Sequence, residues 1–310
     1  MWLRSAGNRG GALSGRHYSA SVQQRATNVN GIELSYLESG PPQGPLALCL
    51  HGFPDTAHTW RHLLPALAEA GYHAVAPWMR GYAPSEVSPD EVYQVGALAA
   101  DASALHEALG GDGRAVLIGH DWGAYASYGA ATLHPERWRR VVTMAVPPLA
   151  ASASSFFTYA QMKRSFYIFL FQTPIAEMAV SADGHEFLDL LWADWSPGYD
   201  ASWDVARVKE SIGNPANLSA AIGYYRALFD PTRHRPAYDD AQVASTSSPP
   251  QPTMYLHGAD DGCMAVDAVG DVASVLSEGS EYVIVERAGH FLHLEQPEIV
   301  RTRVMRFLDT

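Results

Sequence analysis

The chain has 310 residues, about twice the length of a typical domain, so it forms either two domains or one core with a large insertion. Hydrophobic residues make up 47% of it and charged residues only 17%, which excludes an intrinsically disordered protein. The formal net charge of −12 opposes sequence-independent binding to nucleic acid or to an anionic membrane. We therefore expect a soluble globular protein whose partner is a small, largely uncharged molecule.

Two further features bear on where the protein works. Cys49 and Cys263 are too few for a disulfide framework, which favours a reducing compartment, the cytoplasm. The first 32 residues carry four arginines and no acidic residue, as organelle transit peptides do, but they lack the apolar stretch of a secretory signal. We interpret residues 1–24 as a disordered extension, with a targeting segment as the alternative.

The first predicted elements alternate along the chain. Residues 23–39 alternate in polarity around Asn30-Gly31, which predicts a β-hairpin. Short apolar runs at 46–50, 74–76, 115–118 and 141–144 then alternate with stretches of helical spacing at 60–70, 93–109 and 124–133. Buried strands that alternate with helices predict a mostly parallel central sheet flanked by helices, an α/β fold.

This alternation stops after residue 147. The uncharged window 141–162 is long enough to cross a bilayer, but prolines and serines interrupt it, so we predict a strand, then a loop, and no membrane span. Residues 148–245 contain helical, aromatic-rich stretches and end in a Ser/Pro-rich linker. The strand pattern resumes with predicted strands at 253–257 and 282–285 and predicted helices at 265–276 and 297–308. We expect one core, 25–147 and 246–310, interrupted by a helical cap, 148–245.

A sharp turn is predicted where the 115–118 strand meets Gly119-His120-Asp121-Trp122-Gly123 and the following helix. Small residues two before and two after a central nucleophile allow the backbone to pass close to itself. No Gly-x-Ser-x-Gly occurs in the chain, so the candidate nucleophile is the carboxylate of Asp121. A carboxylate suits attack on a saturated carbon and gives an alkyl ester. The alternative for Asp121 is a helix N-cap.

Two more candidate groups follow later strands. Asp260 and Asp261 come after the 253–257 strand, and His290 comes after the 282–285 strand. Nucleophile, acid and histidine in this chain order match an α/β-hydrolase triad, and all three follow the carboxyl ends of strands, where ligands bind. We choose Asp261 as the acid, with Asp260 as the second candidate. The alternatives are an ordinary turn and a surface histidine.

The segment His51-Gly52-Phe53-Pro54 follows the 46–50 strand. Its glycine allows a tight turn, and Phe53-Pro54 is a candidate cis peptide that would aim the Phe53 amide at the site. We expect this amide and that of Trp122 to form an oxyanion hole. A plain strand-to-helix turn is the alternative.

The chain resembles the epoxide hydrolases of the α/β-hydrolase fold over residues 25–308. The segments that carry the resemblance are His51-Gly52-Phe53-Pro54, Arg80-Gly81-Tyr82-Ala83-Pro84-Ser85, Gly119-His120-Asp121-Trp122-Gly123 and Gly289-His290. The resemblance implies that two tyrosines of the cap, Tyr167 and Tyr225, hydrogen-bond the epoxide oxygen. It implies that a small apolar epoxide and water react through a covalent ester on Asp121, which water activated by His290 and Asp261 then hydrolyses.

Several expectations complete this interpretation. We expect His51, Pro54, Phe171 and Phe291 to line the substrate pocket. We expect no cofactor and no metal, because His58 and His62, four residues apart, lack a third ligand at suitable spacing. We expect a monomer or homodimer that contacts neither nucleic acid nor membrane. The alternatives are a haloalkane dehalogenase, which also uses an aspartate nucleophile, and a non-catalytic ligand-binding protein on the same fold.

Overall fold

The computed structural model describes residues 22–310. Its first strand begins at Gln23, inside the predicted extension 1–24, and residues 1–21 of that extension lie outside the described residues. The strands are Gln23–Val29 (β1), Ile32–Ser39 (β2), Leu46–Leu50 (β3), His73–Pro77 (β4), Ala115–His120 (β5), Trp138–Met144 (β6), Thr253–Gly258 (β7) and Glu281–Val285 (β8).

The strands of the described chain form one sheet of eight in the order β1-β2-β4-β3-β5-β6-β7-β8. The hairpin β1-β2 and the pair β2-β4 are antiparallel, and every other neighbouring pair is parallel. Strands β3, β4, β5 and β7 are buried along their whole length, as expected for short apolar runs covered by helices on both faces. The predicted α/β-hydrolase fold with its mostly parallel sheet is confirmed.

Helices fill the connections between the strands. The α-helices are Leu64–Glu69 (α1), Val95–Ala108 (α2), Trp122–Leu133 (α3), Leu149–Phe156 (α4), Tyr159–Arg164 (α5), Phe166–Leu170 (α6), Ala176–Ser181 (α7), Glu186–Trp195 (α8), Ser202–Ile212 (α9), Pro215–Phe229 (α10), Asp239–Ala244 (α11), Leu292–Glu295 (α12) and Pro297–Asp309 (α13). Short 3-10 helices occupy Ala57–His62, Pro135–Arg137, Ala182–Gly184, Pro231–Arg233, Pro236–Tyr238, Val266–Ala268 and Val272–Ser274. Within residues 22–310, no helix has the length and apolar character needed to cross a membrane.

The helix predicted over 265–276 is wrong. The chain instead forms the two 3-10 turns Val266–Ala268 and Val272–Ser274. Gly270 separates them with a φ of +75°, and a Cβ at this position would lie 2.0 Å from the Ala151 carbonyl oxygen. The chain therefore turns sharply here against α4, a long-range contact that helical spacing alone does not reveal.

The helices α4 to α11 lie between β6 and β7 in the chain. The last of them packs against the helices of the sheet layer: Gly96 of α2 donates its N–H to the Gln242 side chain at 2.8 Å, and a Cβ at Gly129 of α3 would lie 3.2 Å from the Ala241 carbonyl oxygen. Close backbone contact thus joins α11 to the core helices. The division of the chain into 25–147 and 246–310 against 148–245 stays a prediction.

A buried ion pair anchors the loop that follows β4. Arg80 is 1% exposed, and its guanidinium donates to both carboxylate oxygens of Asp101 on α2, at 2.6 and 2.7 Å. It also donates to the Val92 carbonyl at 2.7 Å, while the Tyr224 hydroxyl of α10 donates to the Arg80 carbonyl at 2.8 Å. The pair therefore links the sheet layer to the helix that carries Tyr225.

Replacing Asp101 with alanine should lower the free energy of unfolding by about 3–5 kcal/mol, because it leaves the Arg80 cation buried without its anion. Urea unfolding followed by circular dichroism measures this change. Glu210→Ala is the matched control, since it removes an exposed partner of Arg207 on α9 and should change stability little. An Asp101→Ala protein as stable as the Glu210→Ala protein would contradict the importance of the pair.

Candidate active site

Asp121 lies at a sharp turn between β5 and α3. Its backbone has φ 53° and ψ −118°, a conformation that few residues other than glycine adopt. A Cβ at Gly119 would lie 2.2 Å from the Gly123 carbonyl oxygen, and a Cβ at Gly123 would lie 2.1 Å from that of Leu50. Both glycines are therefore required by close backbone contact, and the turn presents the Asp121 side chain beyond the end of the sheet.

The turn after β3 holds one oxygen of the Asp121 carboxylate. The Phe53 N–H donates to Asp121 Oδ1 at 2.7 Å, next to the cis peptide Phe53–Pro54. A Cβ at Gly52 would lie 2.2 Å from the same oxygen, so only glycine fits there. The structure thus brings the Phe53 amide to the carboxylate. A role for the Trp122 amide as the second donor stays a prediction.

His290 lies between two carboxylates. Its Nδ1 is 3.0 Å from Asp261 Oδ2, and its Nε2 is 3.7 Å from Asp121 Oδ2. The N–H groups of Cys263 and Met264 both donate to Asp261 Oδ1 at 2.8 Å and fix that carboxylate. Asp261 is therefore the acid that faces the histidine. It is 3% exposed, whereas the side chain of Asp260 lies at the surface.

The charges of these three buried groups stabilise one another. Burial alone would lower the pKa of His290, but the carboxylates of Asp261 and Asp121 raise it to about 10. Burial would raise the pKa of both carboxyl groups, but the imidazolium and its hydrogen bonds lower each below its ordinary value. With the substrate absent, the site therefore holds two carboxylates around one imidazolium.

The neighbouring histidines are neutral. Burial lowers the pKa of His51 to about 4 and that of His120 to about 3. His51 Nε2 accepts the Met79 N–H at 3.0 Å, which places its proton on Nδ1, 2.8 Å from the Gly52 carbonyl oxygen. His120 Nε2 lies 3.0 Å from the His290 carbonyl oxygen. Both rings thus bond the backbone around the charged group and carry no charge themselves.

Within the part of the chain that the structure describes, two groups of buried side chains lie close enough to hold a metal ion. One consists of Asp55, His120 and His293, and the other of Asp261, Cys263 and His290. Asp261 and His290 of the second group already bond each other. His58, singled out by its spacing from His62, packs edge-on against Trp78 and Trp203. The expectation of no metal and no cofactor stays a prediction.

Tyr167 of α6 and Tyr225 of α10 face the same cavity as Asp121. Their ring centroids are 5.5 Å apart, and the rings are 3% and 2% exposed. The Tyr167 hydroxyl lies 3.4 Å from Cys263 Sγ, whereas the Tyr225 hydroxyl makes no hydrogen bond of normal geometry within residues 22–310 and has the Trp122 side chain as a weaker partner. Burial raises the pKa of both phenols well above its usual value, so both stay protonated at neutral pH.

The cavity has a volume of about 240 Å³. Asp121 is the only charged side chain among its described lining residues, so the cavity suits an apolar, uncharged ligand. The lining residues are Asp121, Trp122, Tyr125, Val146, Leu149, Ser152, Ala153, Phe156, Phe157, Gln161, Ser165, Tyr167, Ile168, Tyr225, Leu228, Phe229, Cys263 and Met264.

None of the four residues predicted to line the pocket is among its described lining residues, so this prediction is wrong. His51 has both ring nitrogens occupied by backbone groups, and the Pro54 carbonyl accepts a hydrogen bond from the Trp192 indole at 2.9 Å. Phe171 packs behind Tyr225 at 5.1 Å between ring centroids, and Phe291 stacks on Trp192 at 3.4 Å. Phe171 therefore supports a lining residue, whereas the contacts of the other three are with residues outside the described lining.

Sequence reasoning missed most of the apolar lining. Tyr125 lies one helical turn after Asp121, and Leu228 and Phe229 lie one turn after Tyr225. These residues could have been predicted from the sequence, because residues three or four apart on a helix share a face. Phe156 and Phe157, at the end of α4, had no such signal.

Known proteins share this fold and sequence. A family model described as the alpha/beta hydrolase fold matches residues 45–297. Epoxide hydrolase A of Mycobacterium tuberculosis is 30% identical over 319 residues, which cover 92% of this chain and 97% of that protein. An epoxide hydrolase of Caballeronia sordidicola is 30% identical over 328 residues, covering 94% and 95%. The crystal structure of a Bacillus megaterium epoxide hydrolase in complex with an inhibitor superposes with a TM-score of 0.77 at 27% identity, covering 92% and 100%.

The fold and the family match define the chain as a hydrolytic enzyme of the α/β-hydrolase class. Within that class the chain belongs to the epoxide hydrolase family.

The imidazole of His290 should titrate near pH 10 in the resting protein, and Asp121→Asn should move its midpoint to lower pH by removing one of its two anions. A pKa raised above the ordinary value of 6.5 contributes stability that is complete below that value and is lost as pH rises through about 10. NMR of the imidazole nitrogens measures the midpoint. Asp260→Asn, an exposed neighbour, is the control, and equal midpoints in Asp121→Asn and wild-type protein would contradict the assignment.

Proposed function

We propose that the chain hydrolyses an epoxide to a vicinal diol through a covalent ester on Asp121. One observation carries the proposal: a buried carboxylate and two buried phenols line one apolar cavity, and a histidine lies beside that carboxylate. The relatives named epoxide hydrolase support the same reaction. The substrate is accordingly an uncharged, mainly apolar epoxide, and the second reactant is water.

In the first step the Asp121 carboxylate forms a bond to a ring carbon while the carbon–oxygen bond of the ring breaks. Because the Phe53 N–H holds Oδ1, we assign the attack to Oδ2. The ring oxygen becomes an alkoxide and takes a proton from a tyrosine hydroxyl. Tyr167 and Tyr225 both donate hydrogen bonds to this oxygen as its charge develops, and the apolar surroundings strengthen those bonds.

In the second step water attacks the ester carbonyl. Formation of the ester removes the negative charge of Asp121, so the pKa of His290 falls. Its proton passes to the tyrosinate left by ring opening, which frees the imidazole to act as a base. Asp261 orients the ring through Nδ1 and stabilises the imidazolium that forms when Nε2 takes the proton from water. The Phe53 amide, with that of Trp122, holds the oxyanion. The bond between the carbonyl carbon and the alkyl oxygen then breaks, the departing alkoxide takes the proton of the newly added hydroxyl, and the diol leaves with Asp121 again a carboxylate.

His290 therefore has two protonation states during the proposed reaction. In the resting enzyme it is an imidazolium that keeps Asp121 ionised, and after ester formation it is the base for hydrolysis. The proton that His290 loses after ester formation restores the tyrosine, and the proton that it then takes from water returns it to the imidazolium state. No cofactor enters this scheme, because each bond made or broken is served by Asp121, His290 or a tyrosine.

Asp121→Ala should abolish epoxide turnover, because no ester forms. His290→Gln should form the ester and hydrolyse it at least about 100-fold more slowly, because the base is lost. Mass spectrometry of the intact protein after acid quenching should then show His290→Gln heavier by one substrate. His134→Gln, a partly exposed histidine after α3, is the matched control and should turn over like wild type.

Undiminished epoxide hydrolysis by both variants would overturn the mechanism. Chloride release from a haloalkane with no diol from any epoxide would identify the alternative, a haloalkane dehalogenase. Binding without turnover of either compound by the wild-type protein would identify a non-catalytic ligand-binding protein.

Tyr225→Phe should slow ester formation about 100-fold, because a hydroxyl that stabilises the alkoxide and can protonate it is removed. The rate of ester hydrolysis should not change, since that step uses His290. Single-turnover experiments with rapid acid quenching separate the two rates. Tyr159→Phe, at an 81% exposed tyrosine, is the control. Slower hydrolysis with unchanged ester formation would contradict the role of Tyr225.

A further inference from the structure

Cys263 lies between the acid that orients His290 and one of the two tyrosines. Its main-chain N–H donates to Asp261 Oδ1 at 2.8 Å, and its Sγ is 3.4 Å from the Tyr167 hydroxyl oxygen. The residue is 6% exposed and contributes to the cavity wall. A single residue of the loop after β7 therefore contacts groups that serve the two different steps of the proposed reaction.

A second contact joins this loop to the helices that carry Tyr167. The side-chain amide of Gln161, on α5, donates to the Cys263 carbonyl at 2.8 Å and to the Ser165 hydroxyl at 2.9 Å. Its oxygen accepts the Ala265 N–H at 3.2 Å. Ser165 directly precedes α6, so Gln161 fixes the start of this helix against the loop. The backbone near Tyr167 is thus held independently of the thiol.

The hydroxyl groups of the two tyrosines are held differently. The Tyr167 ring packs on Trp195 and Phe171, with centroids 5.0 and 5.7 Å away, and its hydroxyl contacts Cys263 Sγ. Among the described residues the Tyr225 hydroxyl contacts no thiol and has the Trp122 side chain as a weaker partner. The ring contacts limit the plane of Tyr167, and the thiol is the group that can orient its O–H bond.

The thiol suits this position because it stays protonated. Burial, and then the nearby carboxylates of Asp261 and Asp121, raise the pKa of Cys263 well above its usual value. A protonated thiol is a poor nucleophile toward an epoxide. When its S–H donates to the Tyr167 oxygen, the phenolic proton remains free to point into the cavity.

We propose that Cys263 is a positioning residue that orients the Tyr167 hydroxyl for ring opening, through the contact between Sγ and Oη. This inference rests on the proposed function, in which Tyr167 donates to the epoxide oxygen. The side chain of Cys263 acts on ester formation only, whereas its main-chain N–H supports Asp261 and hence ester hydrolysis.

Separate measurement of the two steps tests this division. Cys263→Ala keeps the main-chain bond to Asp261 but removes the contact with Tyr167, so ester formation should slow about two- to tenfold while ester hydrolysis keeps its rate. Cys263→Ser, which restores a hydrogen-bonding group, should recover most of the loss. In a Tyr167→Phe background, Cys263→Ala should have no further effect on ester formation. Single-turnover acid quenching with intact-protein mass spectrometry measures both rates.

Cys49→Ala is the matched control, because Cys49 is the other buried thiol and lies in β3 away from the cavity lining. Both of its rates should equal those of wild type. Unchanged ester formation in Cys263→Ala would overturn the inference, as would equal slowing of both steps or a full additional loss in the Tyr167→Phe background. Failure of the wild-type protein to form any ester would instead refute the proposed function, so the two failures are distinguishable.

Discussion

The burial of two carboxylates around one imidazole is the interaction on which the site depends. Asp121, Asp261 and His290 are almost fully removed from water, and each would be costly to bury alone as a charged group. Together they lower the pKa of both carboxyl groups and raise that of the imidazole. This balance requires distances near 3.0 and 3.7 Å, which three separate loops at the carboxyl ends of β5, β7 and β8 provide.

Several neighbouring residues hold the three charged groups at these distances. Gly119 and Gly123 permit the turn that presents Asp121, and the turn at Phe53 supplies an amide to its carboxylate. The neutral rings of His51 and His120 bond nearby backbone without adding charge. In the proposed reaction these charges also make ester hydrolysis follow ester formation. Ester formation removes one of the two anions, and His290 can then act as a base.

Local patterns in the sequence predicted the strands and the sharp turn well, since apolar runs and close-packed glycines leave a local signature. They failed over 265–276, where contact with α4 and a positive φ at Gly270 replace the helix by two 3-10 turns. They also placed His51, Pro54, Phe171 and Phe291 on the cavity wall, whereas none of them is among the described lining residues. Whether a buried side chain lines the cavity depends on how segments distant in the sequence pack against one another.

By itself, the sequence determined the alternation of strands and helices, the turn at Asp121 and the chain order of Asp121, Asp261 and His290, because neighbouring residues specify these features. Only the tertiary structure decided that Asp261, not Asp260, faces His290 and that Cys263 lies against Tyr167. It also decided which aromatic side chains enclose the cavity. These relations join residues far apart in the chain, and their distances follow from how the inserted helices pack over the ends of the sheet.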